Sequence, residues 1–466
     1  MFKVAIKYKQ KFYSASICEK YGKFSSRVIF LLLFLFAATS AQTKLVPHKI
    51  GLKNGKTFNL NLPADYEIIP AAEGFKRVRF FAKAPDGRIF VTDMYNLTDN
   101  NKGAVYILSE FDLETGRFTR VTPYLTGLKN PNSVQFYKDE NGQDWFYLAE
   151  TDKLTRRKFT PDETKPTDTK PQTLATFPDY GLSYKYGGWH LSRTIAFAPN
   201  GRLYVSVGSS CNACIEKEEV RASVLEINAD GSNQRIFAKG LRNAVGLKWI
   251  GNFLFATNQG ADHLGLNKPD ETFYALTGGA DYGWASCYQS NGKVFRDPKY
   301  NRLKSCANVP VSYADFPAHA SALGFDYFDE QNTSEVIKNA FLVALHGSTN
   351  KDIGRGYKIV IMRKGEKLQD FINGFLQGKT VFGRPCDIMK LDANSFLFTD
   401  DYSGIVYYVR KKGWKSPTAQ TPETQEKIVS QNQENTNAPA DAPTNKTCFG
   451  LAAIIAAAFG QMIFFK

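Results

Sequence analysis

The chain has no basic block. Its formal charge is +14 over 466 residues, but seven Lys/Arg against one Glu fall in the first 41 positions. What remains is a mild, dispersed basic bias, which argues against nucleic acid as a partner. No sustained 3.6-residue apolar period runs through the middle of the chain, so a helical bundle is excluded. No CxxCH occurs, so no c-type haem is covalently attached. A single CxxC is present, Cys211 to Cys214, with no second pair nearby and no βαβ pattern around it. That leaves a redox-active pair or half a zinc site as the lesser readings and a small loop disulfide as the better one. Histidine is scarce, five in all.

Long apolar runs occur only at the two ends. The run from Val28 to Ala38 follows a basic flank and precedes small residues up to Ala41, the pattern of a secretory signal over 1–41. An uncleaved signal anchor is the rival. Residues 412–447 are rich in Thr, Pro, Asn and Gln and read as a disordered stalk. Residues 448–466 are mostly apolar. Stalk plus tail suggests a glycolipid-anchor signal with its attachment site near Asn437 to Ala442, or else a membrane-anchoring helix. The expected location is therefore extracellular or cell-surface, held at a membrane by the tail. Secretion favours disulfides. With Cys18 and Cys448 in the terminal segments, the plausible pairs are Cys211–Cys214 and Cys287–Cys306, with Cys386 spare.

Between the ends, hydrophobic residues make up 43% of the composition and aromatics 14%, mostly Phe and Tyr, which favours strands. The pattern apolar run, turn, apolar run occurs six times, at 78–93, 132–150, 193–208, 244–260, 322–347 and 386–401. Asp86-Gly87 and Asn200-Gly201 supply hairpin turns. Further strand-like runs such as "SVLEINA" and "YKIVIMR" follow most copies. Six repeats of four strands predict an all-β fold, a six-bladed β-propeller with four-stranded blades over 45–411. An array of β-sandwiches would not repeat one hairpin at this spacing.

In a propeller, residues just before each inner strand meet at one mouth. His190, His263, His319 and His346 sit beside repeats, as do Arg79, Arg193, Arg242 and Arg384; His48 does not. A ring of cations suits a ligand bearing several carboxylates. The glycine-rich segment 257–284 carries Asp262, Asp270, Glu271 and Asp281. With the Gly260 and Ala261 carbonyls these could hold a hard cation such as calcium, although the spacing is no EF-hand.

"GLRNAVGL", "NQGADHLG" followed by "GGADYGW", "LHGSTN" followed by "GYK", and "GRPCDIM" followed by "DDYSGIVYYV" resemble the glucose/sorbosone dehydrogenase family over about residues 60–410. "VGSSCNAC" and "LHGS" are most similar to its L-sorbosone and pyranose dehydrogenase branch. The resemblance implies a propeller that binds pyrroloquinoline quinone and Ca²⁺ at its mouth. It implies oxidation of a sugar or sugar aldehyde by hydride transfer to the quinone, with electrons leaving to an external cytochrome or quinone. On this likeness His190 is the general base. Arg79, Arg193, Arg242, Asn243, His346, Lys358 and Arg384 are cofactor-binding candidates. Gly260, Ala261 and Asp262 are the metal candidates. Two positions depart from the pattern: Thr349 stands where the branch often has Trp, and Cys386 where a small aliphatic residue is usual. A calcium-dependent propeller lactonase and a non-enzymatic binding propeller are the alternatives, since a fold alone does not decide function.

Overall fold

The computed structural model describes residues 43–179, 190–300 and 304–415. The expected signal segment, nearly all of the stalk and the apolar tail lie outside the described residues. Among those described, six four-stranded antiparallel sheets form the blades of a propeller. Their inner strands are Val78–Lys83, Ser133–Lys138, Ile195–Phe197, Ala244–Ile250, Ala322–Phe328 and Pro385–Asp392, blades 1 to 6 in chain order. Each inner strand begins at or within three residues of the start of one of the six sequence repeats.

The turn chemistry explains the hairpins. In blade 1 Ala84 N donates to Arg88 O and Gly87 N to Ala84 O; in blade 3 Ala198 and Gly201 repeat the pair. Gly87 and Gly201 have φ of 86° and 79°, a left-handed conformation that glycine adopts without steric cost.

Side-chain alternation then builds the core. In the second strand of blade 1, Phe90 faces blade 2 and packs with Phe146, while Val91 faces blade 6 and packs with Leu397. Leu254 and Phe255 divide likewise between blades 3 and 5. Blades are buried on both faces, so these strands read as nearly continuous apolar runs rather than as alternating ones. Each buried Phe or Leu contributes about 1.5–3 kcal/mol. Hydroxyls stitch neighbouring blades at the axis: Thr92 donates to Asn132 O, Thr194 to Val245 O, Thr257 to Leu323 O and Thr399 to Arg79 O.

Two features were not evident from the repeats. Blade 6 takes its outer strand, Tyr66–Glu73, from before the first repeat, where it pairs antiparallel with Ile405–Lys411. The two ends of the propeller are thereby hydrogen-bonded in one sheet, which closes the ring. The long spacing between the fourth and fifth repeats is an insertion within blade 4. It carries the hairpin Cys287–Ser290 and Lys293–Arg296 and the disulfide Cys287–Cys306. Cys211–Cys214 is also a disulfide, and Cys386 is a buried thiol.

Candidate active site

The inner strands of blades 1, 4, 5 and 6 share one irregularity. Their register against the second strand slips between Val78 and Phe81, Ala244 and Leu247, Ala322 and Phe325, and Pro385 and Ile388. Such bulges re-aim side chains. Here Phe80, Val245, Leu323 and Cys386 gather into an apolar plug across the channel. The strands approach so closely that a Cβ on Gly246 would lie 2.2 Å from the Leu323 carbonyl oxygen.

Above the plug lies a cavity of about 340 Å³. His190, Asn243, Ser321 and Arg384, each just before an inner strand, line it, as do Gln259, His346 and Tyr402, which leave second strands. A second hollow of about 480 Å³ shares His190, Gln259, Ser321 and Thr349 with the first. It extends to Arg242, Gly260, Asp262, Glu271 and His319. Val245 and Leu323 are the apolar part of the floor.

His190 sits at this junction with φ 51°. Arg193, itself buried, donates to the His190 and Ser192 carbonyls at 2.6 and 2.9 Å and so grips the turn from behind. The imidazole Nδ1 lies 2.9 Å from both the carbonyl and the hydroxyl oxygen of Ser209. That hydroxyl donates to Cys211 O, so both Ser209 oxygens accept from His190. Nδ1 therefore carries the proton and Nε2 the lone pair, the form a general base requires. Burial, followed by Arg242, pulls the His190 pKa well below 6.5 against the Ser209 carbonyl, so the ring is neutral at physiological pH.

A second group surrounds Asp401. Its carboxylate meets Arg79 at 2.7 Å, Arg77 at 3.1 Å and His346 Nε2 at 2.7 Å. Burial alone would raise this carboxyl; His346, Arg79 and Arg77 outweigh it and hold the pKa far below the usual carboxylate range. Burial also lowers His346, against the pull of Asp401. Arg384 donates to Gly347 O, Ser348 O and the Tyr357 hydroxyl and lies over the Tyr357 ring. Arg77, Arg79 and Arg384 thus reach one cavity, and Arg242 the adjoining one.

The segment Gly260–Asp262 leaves the second strand of blade 4. Gly260 packs so tightly that a Cβ would meet the Pro269 ring at 2.6 Å. Asp262 faces His319 at 3.2 Å and Arg242 at 4.0 Å. Beside it Glu271 is only 4% exposed, and its Oε2 has no hydrogen-bond partner among the described residues. Burial pushes the Glu271 carboxyl up to about 8, against Arg242 and the Ser321 and Gly260 N–H groups. A buried carboxyl oxygen without a donor, next to an accessible glycine backbone and a second carboxylate, is a donor set that fits a hard cation.

Of the residues expected at the site, His190, Arg79, Asn243, His346 and Arg384 line the first cavity; Arg242, Gly260 and Asp262 line the second; Ala261 lies just behind Gly260. Two expected cofactor ligands are not brought to the mouth. Lys358 ion-pairs with Asp370 on the neighbouring strand at 2.9 Å, and Arg193 is spent on the His190 turn. His263 pairs with Asp297 instead. Asp401, Arg77, Gln259 and Ser321 were not anticipated. Arg77 stands two residues before Arg79 in "KRVRF" and Asp401 follows Asp400, a doubled charge beside a repeat edge that is the available signal for both.

These features define a six-bladed propeller with a cationic, histidine-bearing mouth. The fold is shared with the quinone-bound pyranose dehydrogenase domain of Coprinopsis cinerea: TM-score 0.61, 18% identity, covering 75% of this chain and 97% of that one. It is also shared with the calcium structure of a Trichoderma reesei carbohydrate-active enzyme of family AA12, at TM-score 0.61 and 14% identity, covering 80% and 98%. An uncharacterised protein of Borreliella burgdorferi is 26% identical over 375 residues, 76% of this chain and 91% of that one. No protein-family model matches.

Proposed function

We propose that this protein is a sugar dehydrogenase that uses pyrroloquinoline quinone and Ca²⁺. The observation that carries the reading is a neutral His190, with its lone pair on Nε2, lining two connected hollows that four arginines also line. The structural neighbours with a bound quinone and with calcium support it. Arg77, Arg79, Arg242, Arg384 and Asn243 would hold the quinone carboxylates, above the apolar floor of Val245 and Leu323. The Gly260 and Ala261 carbonyls, with Asp262 and Glu271, would hold the cation. When bound, the quinone supplies an acceptor for hydride. His190 Nε2 takes the proton of the sugar hydroxyl as the C–H bond breaks, and Arg193 and Ser209 keep the ring aimed. A hydride and a proton, two electrons and two protons in all, leave the sugar, which ends as a carbonyl or lactone, and the electrons pass to an external acceptor. The two disulfides support secretion, with residues 448–466 as the membrane attachment.

Equilibrium titration of the full chain with the quinone is expected to saturate with Ca²⁺ present and to weaken at least tenfold in chelator. Absence of binding with Ca²⁺ present removes the reading.

A further inference from the structure

The CxxC loop does more than cap a strand. It leaves the second strand of blade 3 and reaches toward blade 4. Its first residues hold His190 through Ser209, as described above. Asn212, between the two half-cystines, holds the other side of the mouth. The Asn212 backbone oxygen accepts from Arg242 Nε at 2.7 Å. Its side-chain Oδ1 accepts from Arg242 Nη2 at 2.9 Å and from the Asp262 backbone N–H at 3.0 Å. One residue therefore grips the guanidinium fork and the start of the glycine-rich segment together. Arg242 precedes the inner strand of blade 4 and Asp262 follows its second strand, so Asn212 joins the two edges of that hairpin from outside it. The loop is itself restrained. The disulfide closes it around Asn212, Glu216 accepts from Ser210 N and Oγ, and Ala213 O accepts from the Tyr300 hydroxyl.

We propose that Asn212 is a positioning residue that couples the anion-binding arginine Arg242 to the cation-binding segment Gly260–Asp262. The inference rests on the quinone and Ca²⁺ reading above. Without the Oδ1 acceptor the fork keeps the Asn212 backbone oxygen and meets the segment only through Asp262 at 4.0 Å, so a ligand at one orders the other less. Such coupling is reciprocal: Ca²⁺ tightens quinone binding by the factor by which quinone tightens Ca²⁺ binding.

The test is a pair of equilibrium titrations on the full chain, with no turnover needed. Quinone is titrated with and without Ca²⁺, and Ca²⁺ with and without quinone. For Asn212→Ala the quinone affinity with Ca²⁺ present should fall about tenfold or more, as expected when a charged donor loses its acceptor. The Ca²⁺-dependent gain in quinone affinity should shrink toward one. Asn212→Asp keeps an acceptor oxygen at the same reach and should restore most of the coupling, which a merely structural role would not distinguish. If Asn212→Ala does not fold, Asn212→Ser, whose hydroxyl falls short of Arg242, carries the same expectation. Unchanged coupling in the folded variant, with wild-type binding intact, overturns the inference alone. No quinone binding by the wild type overturns the functional reading and this inference with it.

Discussion

His190→Ala is expected to lower sugar turnover by about 10²–10⁴-fold, the usual worth of a general base, with quinone affinity within a few-fold of wild type. His190 lines both hollows, and its Nδ1 is engaged by Ser209. Truncation removes the proposed proton acceptor and leaves the arginines in place. Stopped-flow reduction of the loaded enzyme separates the two quantities. The pH dependence has a definite sign. Because burial and Arg242 depress the folded pKa well below 6.5, the base form persists through neutrality. Turnover should stay level there and fall only as the pH drops through that depressed value. The same group opposes folding in acid. Below about 6.5 the unfolded chain binds a proton that the folded chain resists, so its contribution to stability is complete above that pH and declines beneath it.

Asp401→Asn is expected to destabilise the protein by about 3–5 kcal/mol, the cost of breaking a buried ion pair by removing one partner. Arg79, Arg77 and His346 all point at this fully buried carboxylate, so the neutral amide would leave two guanidinium groups under-compensated beside the cavity. Urea denaturation gives the stability, and a quinone titration should show a parallel loss as the arginines relax. The carboxyl is depressed in the fold, so its stabilisation is present above the unfolded value of about 3.9 and is lost as the pH falls through the lower folded value. The clamp should therefore survive mild acid.

The propeller was legible because its signals are local. A hairpin turn such as Asp86-Gly87 or Asn200-Gly201 needs only neighbouring residues, and blade strands buried on both faces announce themselves as apolar runs. The mouth was legible for a related reason: His190, Asn243 and Arg384 each stand just before an inner strand, and the repeat places every such position at one end. What escaped depends on contacts between distant positions. Tyr66–Glu73 pairs with Ile405–Lys411 across more than 330 residues, and no turn residue marks that partnership. Lys358 looked like a ligand from its motif, but Asp370, twelve residues on and in the next strand of the sheet, takes its ammonium. Asn212 sits in a motif that drew attention for its cysteines, and only the folded loop brings its amide to Arg242. The Glu271 carboxyl was visible as one acid among four in its segment; its burial without a donor was not.

Quinone-dependent oxidation of a sugar is read most directly by reduction of an artificial electron-accepting dye by the full chain across a panel of aldoses, pyranoses and sugar aldehydes. Turnover is expected on at least one of these, with a requirement for both quinone and Ca²⁺ and a collapse in His190→Ala. A chain that is saturated with quinone and Ca²⁺ yet reduces no dye with any sugar would contradict it.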